Sequence, residues 1–157
     1  MTPLSRFRRR FRHHAWAGET LCAALEADPV RDATLVFAHA LAADRVWHQR
    51  VVGQPVDVAV WPDLEVDGCR ALLETTTSDW EHVLDGALDL DSQQAGAATV
   101  VRYRNTTGVA FETSVVDILD HVLLHAAHHR GQACMTLRAA GLSPPALDYI
   151  AWVRTVG

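Results

Sequence analysis

Ser114-Val-Val-Asp117-Ile-Leu-Asp-His121-Val-Leu-Leu-His125-Ala-Ala-His128-His129-Arg130-Gly131-Gln132-Ala-Cys-Met-Thr-Leu137-Arg-Ala-Ala-Gly141 is a helix written with its own start and stop signals. Ser114 with Asp117 three residues later matches a capping box, so the helix begins there. Gly141 fits its C′ position, and Ser143-Pro144-Pro145 ends it. Ile118, His121, Val122, His125, His129, Gln132, Ala133 and Leu137 are expected to face inward. Residues four apart on a helix are separated by roughly 40° of rotation and ~6 Å of rise, so His125 and His129 project side by side. Both can reach a single ion, and imidazole suits Zn, Ni, Cu and Fe. The pair alone is also compatible with exposed or core-edge histidines, since the chain carries nine. Two ligands leave a site incomplete, and the third must come from elsewhere.

Working back along the chain, a first helix is expected over about 13–27, with Trp16, Leu21 and Leu25 at helical spacing and Asp28-Pro29 ending it. A second is expected from about Asp32, a candidate N-cap, to Val52, with Gly53 closing it. Its apolar stripe runs through Leu35, His39, Ala42, Val46 and Trp47. A lone histidine on such a stripe is more often a hydrogen-bonded core residue than a ligand. With the pair on the last helix, His39 becomes the candidate third ligand.

Gln54 to Leu64, with Pro55 and Pro62, reads as a connection crossing the molecule. A third helix follows over about 66–88 through Leu72, Leu73, Trp80 and Leu84. Thr99–Arg104 and Val109–Thr113 flank Asn105-Thr-Thr-Gly108 and read as a short β-hairpin. The segment Leu147 to Val153 is apolar enough to dock. The expected fold is all-α: a four-helix bundle with a long crossover connection and a small β-hairpin before the last long helix. Bundles build metal sites from side chains on facing helices, and three protein ligands leave a position open.

The chain has 157 residues, 49% of them apolar and 21% charged, enough for one domain with a sizeable core. Residues 13–157 read as that single domain, and residues 1–12 as a basic segment free to be flexible. No apolar run approaches ~18 residues, which excludes a transmembrane helix. The basic start lacks a secretory h-region, so cytoplasm is the expected compartment. Cys22, Cys69 and Cys134 read as buried or free thiols, without disulfide or zinc-knuckle spacing.

All fourteen basic residues are Arg, five of them in Arg6–Arg12 (RFRRRFR). The remaining nine face nineteen acids, a balance of −10. An arginine run can touch phosphates, but this one is short, terminal and attached to an acidic body, which disfavours a nucleic-acid partner. His13 and His14, beside the arginines, read as solvated basic residues. His48 and His82 lack a partner at ligand spacing and read as structural.

Ala15-Trp16-Ala17, Ala38-His39-Ala-Leu-Ala-Ala-Asp-Arg-Val-Trp47 with Arg50, and Val60-Trp61-Pro62 form an ordered series. Arg102-Tyr103-Arg104-Asn105-Thr-Thr-Gly108 with Phe111 continues it. His121-x-x-x-His125-x-x-His128-His129-Arg130-Gly131-Gln132 is its most diagnostic member, followed by Gly141, Pro144-Pro145 and Asp148-Tyr149-Ile150. Together they resemble the DinB-like (DNA-damage-inducible, YfiT-like) family of metal-dependent enzymes over nearly the whole chain after the arginine run. The resemblance implies a four-helix bundle with a divalent metal on three histidines, which by position are His39, His125 and His129. The expected ion is Zn or Ni. His121, one turn earlier, competes as a ligand or supporting partner. Gln132 is a candidate to orient a ligand imidazole. Arg130 is expected to pair with Asp148 or Glu112, with an acidic substrate as the alternative, and Gly131 to admit a close neighbour.

The chain departs from the family pattern in two places. Family members commonly carry Asn at position 124, where Leu124 weakens any claim for a polar group. They often show Asn on both sides of Trp16, where His14 and Gly18 stand. The DNA damage in the family name refers to induction, not to DNA chemistry.

An open three-histidine site can lower the pKa of a bound water or hold a thiol as thiolate. The resemblance implies thiol S-transferases and isomerases that use low-molecular-weight thiols, or metal-dependent hydrolases, and a homodimer. There is no H-E-x-x-H glutamate. Asp44, Glu112 and Asp148 are candidate carboxylates, none singled out as a general base. Three functions follow: a thiol S-transferase of a stress or detoxification type acting on a small-molecule substrate, a metal-dependent hydrolase, or a non-catalytic metal-binding bundle acting through dimer or partner contacts.

Overall fold

A computed structural model describes residues 2–87 and 99–156. The elements run α1 (Pro3–Ala27), α2 (Arg31–Val51), α3 (Val66–His82) continued by one π-helical turn (Val83–Ala87), β1 (Val100–Arg104), β2 (Ala110–Ser114), α4 (Val115–Ala139) and α5 (Tyr149–Val156). Helices α1 to α4 pack as a bundle, with α2 lying along α4 and α1 along α3. Leu88, the expected end of the third helix, lies outside the described residues.

Helix α1 begins ten residues earlier than the expected start at 13. Thr2 caps it by accepting from the Ser5 amide at 3.2 Å, and Pro3 occupies the first turn, where its missing N–H costs nothing. The arginine run is therefore helical, with Phe7 and Phe11 buried at i, i+4 between the guanidinium groups. The buried positions Phe7, Phe11, His14, Gly18, Leu21 and Leu25 form one continuous stripe.

Helix α2 is capped at Val30 with no side-chain bond, so Asp32 is not its N-cap. Ser114 caps α4 as expected, its Oγ accepting from the Asp117 amide at 3.1 Å. At the other end Gly141 has φ +82°, the left-handed conformation that suits glycine at a helix C′. In the hairpin Arg102 faces Glu112 and Tyr103 faces Phe111. Its turn is held by the Asn105 side chain, which accepts from the amides of Thr107 and Val109 at 3.0 and 2.9 Å.

Two apolar clusters fill the bundle. One holds Phe7, Phe11, Trp80, Leu84, Ile118 and Leu119. The other holds Leu21, Leu25, Phe37, Leu41, Leu73 and Leu137. Along each helix a buried polar residue falls between the two: His14 on α1, Asp44 on α2 and Arg130 on α4.

The connection 52–65 is clamped to α2 at both ends. Near its start Arg45 Nη2 donates to Asp57 Oδ2 at 3.0 Å, and the Asp57 amide donates to Gln49 Oε1 at 3.2 Å. Near its end Arg31 donates to the Leu64 carbonyl at 2.9 Å and also pairs with Asp63 and Glu65. Between the clamps, Val60 and Trp61 lie directly on His39.

Candidate metal centre

The packing of α2 on α4 brings His39, His125 and His129 together, each offering one ring nitrogen within 4.8 Å of the others. The Nε2 atoms of His125 and His129 are 3.1 Å apart. Two imidazoles bound ~2.0–2.1 Å from one tetrahedral ion would place their nitrogens at a similar separation. His125 and His129 supply it because they stand one turn apart on α4, as their spacing requires.

Each ring is held through its other nitrogen where a partner exists. His39 Nδ1 lies 2.7 Å from the Val60 carbonyl. A carbonyl only accepts, so this nitrogen carries the hydrogen and Nε2 keeps its lone pair. His129 Nδ1 lies 2.7 Å from Gln132 Oε1, which selects the same tautomer, and the Gln132 amide nitrogen reaches His128 Nε2 at 3.1 Å. The nitrogens opposite these bonds are those a metal would need. His125 Nδ1 is buried without a partner.

Trp61 stacks on His39 with ring centroids 3.8 Å apart and planes 7° from parallel. The indole is otherwise exposed and covers the outer side of the histidine.

The electrostatics favour neutral imidazoles at His125 and His129. Burial pushes the His125 pKa down to about 4, and the neighbouring His129, His121 and His39 push the same way. Burial also lowers His129. A neutral ring is the form that ligates a cation. No carboxylate or thiol among the described residues joins the three histidines within ligand spacing. The donor set therefore fits a divalent metal of the imidazole-preferring kind.

His121 does not join that group. Its ring is 5.3 Å from His125 and 5.1 Å from Trp47, on the exposed side of α4. Gln132 is also exposed rather than inward, although it bonds His129. Trp47 continues the aromatic wall toward the hairpin, with the Arg50 guanidinium 4.6 Å from its ring and 4.5 Å from that of Tyr103.

Arg130 pairs with neither Asp148 nor Glu112. Glu112 is taken by Arg102 at 2.5 Å. Arg130 is buried and its Nη1 donates to His14 Nδ1 at 3.0 Å. His14 Nε2 in turn lies 2.8 Å from Asp44 Oδ2, a close contact off the ideal hydrogen-bond direction. His14 therefore bridges a buried anion and a buried cation, and it is not a solvated basic residue. His13 is half-buried as well, its Nε2 2.9 Å from the Leu147 carbonyl, and burial lowers its pKa. Both follow from the earlier start of α1, which carries the core-facing stripe through position 14. Gly131 has open space around its Cα, so no close approach depends on it.

The Val60 carbonyl, Trp61 and the His14–Asp44–Arg130 group were not recognised from the sequence as a support for the site. Their legible traces were Val60-Trp61 within the family series and His14 on the Phe7–Phe11–Gly18–Leu21 stripe, where a solvated residue would be out of place.

The three cysteines are buried and unpaired, and burial raises their thiol pKa values, Cys69 to about 12. Among the described residues no helix is long and apolar enough to cross a membrane. A search of curated proteins finds no match to this chain. The family model described as the DinB family does match it, over residues 11–155 and so across both the bundle and the histidine cluster, and the chain belongs to that family.

Proposed function

We propose that this protein is a metal-dependent thiol S-transferase, joining a low-molecular-weight thiol to a small electrophilic substrate. The observation that carries this reading is the donor set: three imidazoles, with no carboxylate among the described residues in the ligand group. A divalent ion, Zn or Ni by the ligand type, supplies at such a site the charge that strips the proton from a coordinated thiol. Metal-assisted hydrolysis calls for a general base beside the attacking water. Asp44, the buried carboxylate on α2, lies against His14 at 2.8 Å and outside the ligand group.

The chain's own residues do the positioning. His39, His125 and His129 hold the ion. The Val60 carbonyl and Gln132 fix the rings of His39 and His129, and Trp61 shields His39 from solvent. Trp47 and Tyr103, packed edge to face with Arg50 over both rings, form an aromatic wall beside the site. The protein's own buried thiols stay protonated at neutral pH, so the sulfur comes from a small molecule. The S–C bond forms as the bond from carbon to the leaving group breaks, and the thiol proton passes to solvent.

The first test is the metal content of protein purified without a His tag, beside His39→Ala and His125→Ala. About one Zn or Ni per chain is expected, lost in both variants. Thiol-dependent loss of an aryl or alkyl halide, abolished in His39→Ala, then supports transfer. Turnover of esters or amides without thiol would instead assign hydrolysis. A metal-dependent rise in melting temperature with neither activity would assign a non-catalytic bundle. A homodimer is part of this reading, with exposed Met135 and Ile150 as available apolar surface and light scattering as its check.

A further inference from the structure

A second cleft lies on the other side of α4 from the histidines. Ala127 and Arg130 are about 200° and 140° around the helix from His125, and none of the three clustered histidines lines this cleft. It has a volume of about 480 Å³, within the ordinary range of small-molecule sites. Arg6, Arg9 and Arg10 of α1 line one side, and buried Arg130 lines the inner wall. Leu123, Leu124, Ala127 and Tyr149 make the rest mostly apolar.

The charges here are only partly neutralised, Arg10 being the one of the three α1 arginines that has a carboxylate partner among the described residues. Arg8 pairs with Asp85 at 3.0 Å and Arg10 with Asp120 at 2.6 Å. Arg6 and Arg9 have no carboxylate partner among the described residues, in a chain with nineteen acids and a net charge of −5. Arg6 stands three residues from Arg9 and four from Arg10, spacings at which like charges repel. Arg130 uses Nη1 on His14, and a guanidinium has further donors. His13, in the lining of the same cleft, feels Arg130 and Asp148 in opposite senses. A cluster of partly unpaired guanidinium groups at one end of an apolar cleft is complementary to a molecule with an anionic head and an apolar body.

We infer that this cleft is a binding site for a small amphipathic anion, a carboxylate or phosphate monoester on an alkyl or aryl body, separate from the metal centre. The arginines take the head, and Leu123, Leu124 and Tyr149 take the body.

The test uses the full chain, with 8-anilinonaphthalene-1-sulfonate as fluorescent probe and dodecanoate, dodecyl phosphate and dodecanol as competitors, all below micelle-forming concentrations. Expected are one saturable site per chain and displacement by at least one of the two anions, with dodecanol far weaker. Displacement by dodecyl phosphate alone identifies a phosphate head, and displacement by both shows that a carboxylate suffices. Binding should weaken roughly tenfold or more in Arg6→Ser/Arg9→Ser, which removes no ion pair among the described residues, and between 50 and 500 mM salt in the wild type. Ala127→Trp, which fills the cleft and leaves the charges, should weaken it similarly. His39→Ala should bind the probe as the wild type does, so failure of the metal reading leaves this result standing. No saturable site, equal displacement by dodecanol, or undiminished binding in Arg6→Ser/Arg9→Ser would overturn the inference, as would binding only to anionic vesicles.

Discussion

His39 and His14 are both buried histidines on bundle-facing stripes, yet they are bound in opposite ways. His39 spends one nitrogen on a neutral carbonyl and keeps the other for the cluster with His125 and His129. His14 spends both nitrogens, on Arg130 and Asp44, and has none left. The first is set up to accept a cation, and the second to tie a buried cation to a buried anion. Burial and helix position do not separate the two cases. What separates them is the charge of the groups that the neighbouring elements bring to the ring.

The largest effect in this comparison is expected on the His14 side. Asp44→Ala leaves Arg130 buried without its counter-charge, which should cost about 3–5 kcal/mol of stability in urea unfolding. The folded fraction should still take up metal, because no ligand has been touched. If Asp44→Ala remained as stable as the wild type, the bridged ion pair would not be the link between the two apolar clusters.

On the His39 side the stability effect is conditional on metal. With free Zn at about a hundred times its dissociation constant, the wild type should gain about 2.7 kcal/mol, while His39→Ala and His125→Ala gain little. Adding a chelator should remove the difference between wild type and variants. An equal gain in all three proteins would place the ion elsewhere.

A smaller change is expected where only the hold on a ligand ring is lost. Gln132→Ala removes the acceptor on His129 Nδ1, and the metal should bind roughly ten times more weakly with little loss of fold stability. A competition titration against a chromophoric chelator would measure it, and unchanged affinity would mean that His129 keeps its orientation without help.

The smallest effect concerns His48, a buried histidine that belongs to neither group. Its Nδ1 has no hydrogen-bond partner, and burial lowers its pKa, only partly opposed by Asp79. Above the ordinary value of 6.5 the ring is neutral in both folded and unfolded chains and has no effect on the balance. As pH falls below 6.5 the unfolded chain takes up a proton that the folded chain resists, so stability declines. His48→Gln should flatten this part of the stability profile, and an unchanged slope would remove His48 from the acid response.

Much of the fold is local in origin and could be read directly. The Ser114 cap, the Gly141 terminus, the Asn105–Gly108 turn and the i, i+4 histidine pair each depend on residues a few positions apart. The start of α1 was legible too, in Thr2-Pro3 and in Phe7 and Phe11, but the density of arginine obscured it. A helix tolerates such a run when its apolar residues share one face and the guanidinium groups share the other.

The His125–His129 pair was thus determined by sequence alone, because helical geometry fixes neighbours four residues apart. His39 was a candidate on the same grounds, as a polar residue on an apolar stripe. His129 takes its partner, Gln132, from three residues on in the same helix, whereas which nitrogen His39 keeps free was decided only by the tertiary structure. So was the stacking of Trp61 from the crossover, and so was the contact between His14 and Arg130 across 116 residues. For His39 and His14 the tautomer follows from partners that packing delivers from distant parts of the chain, which no local pattern encodes.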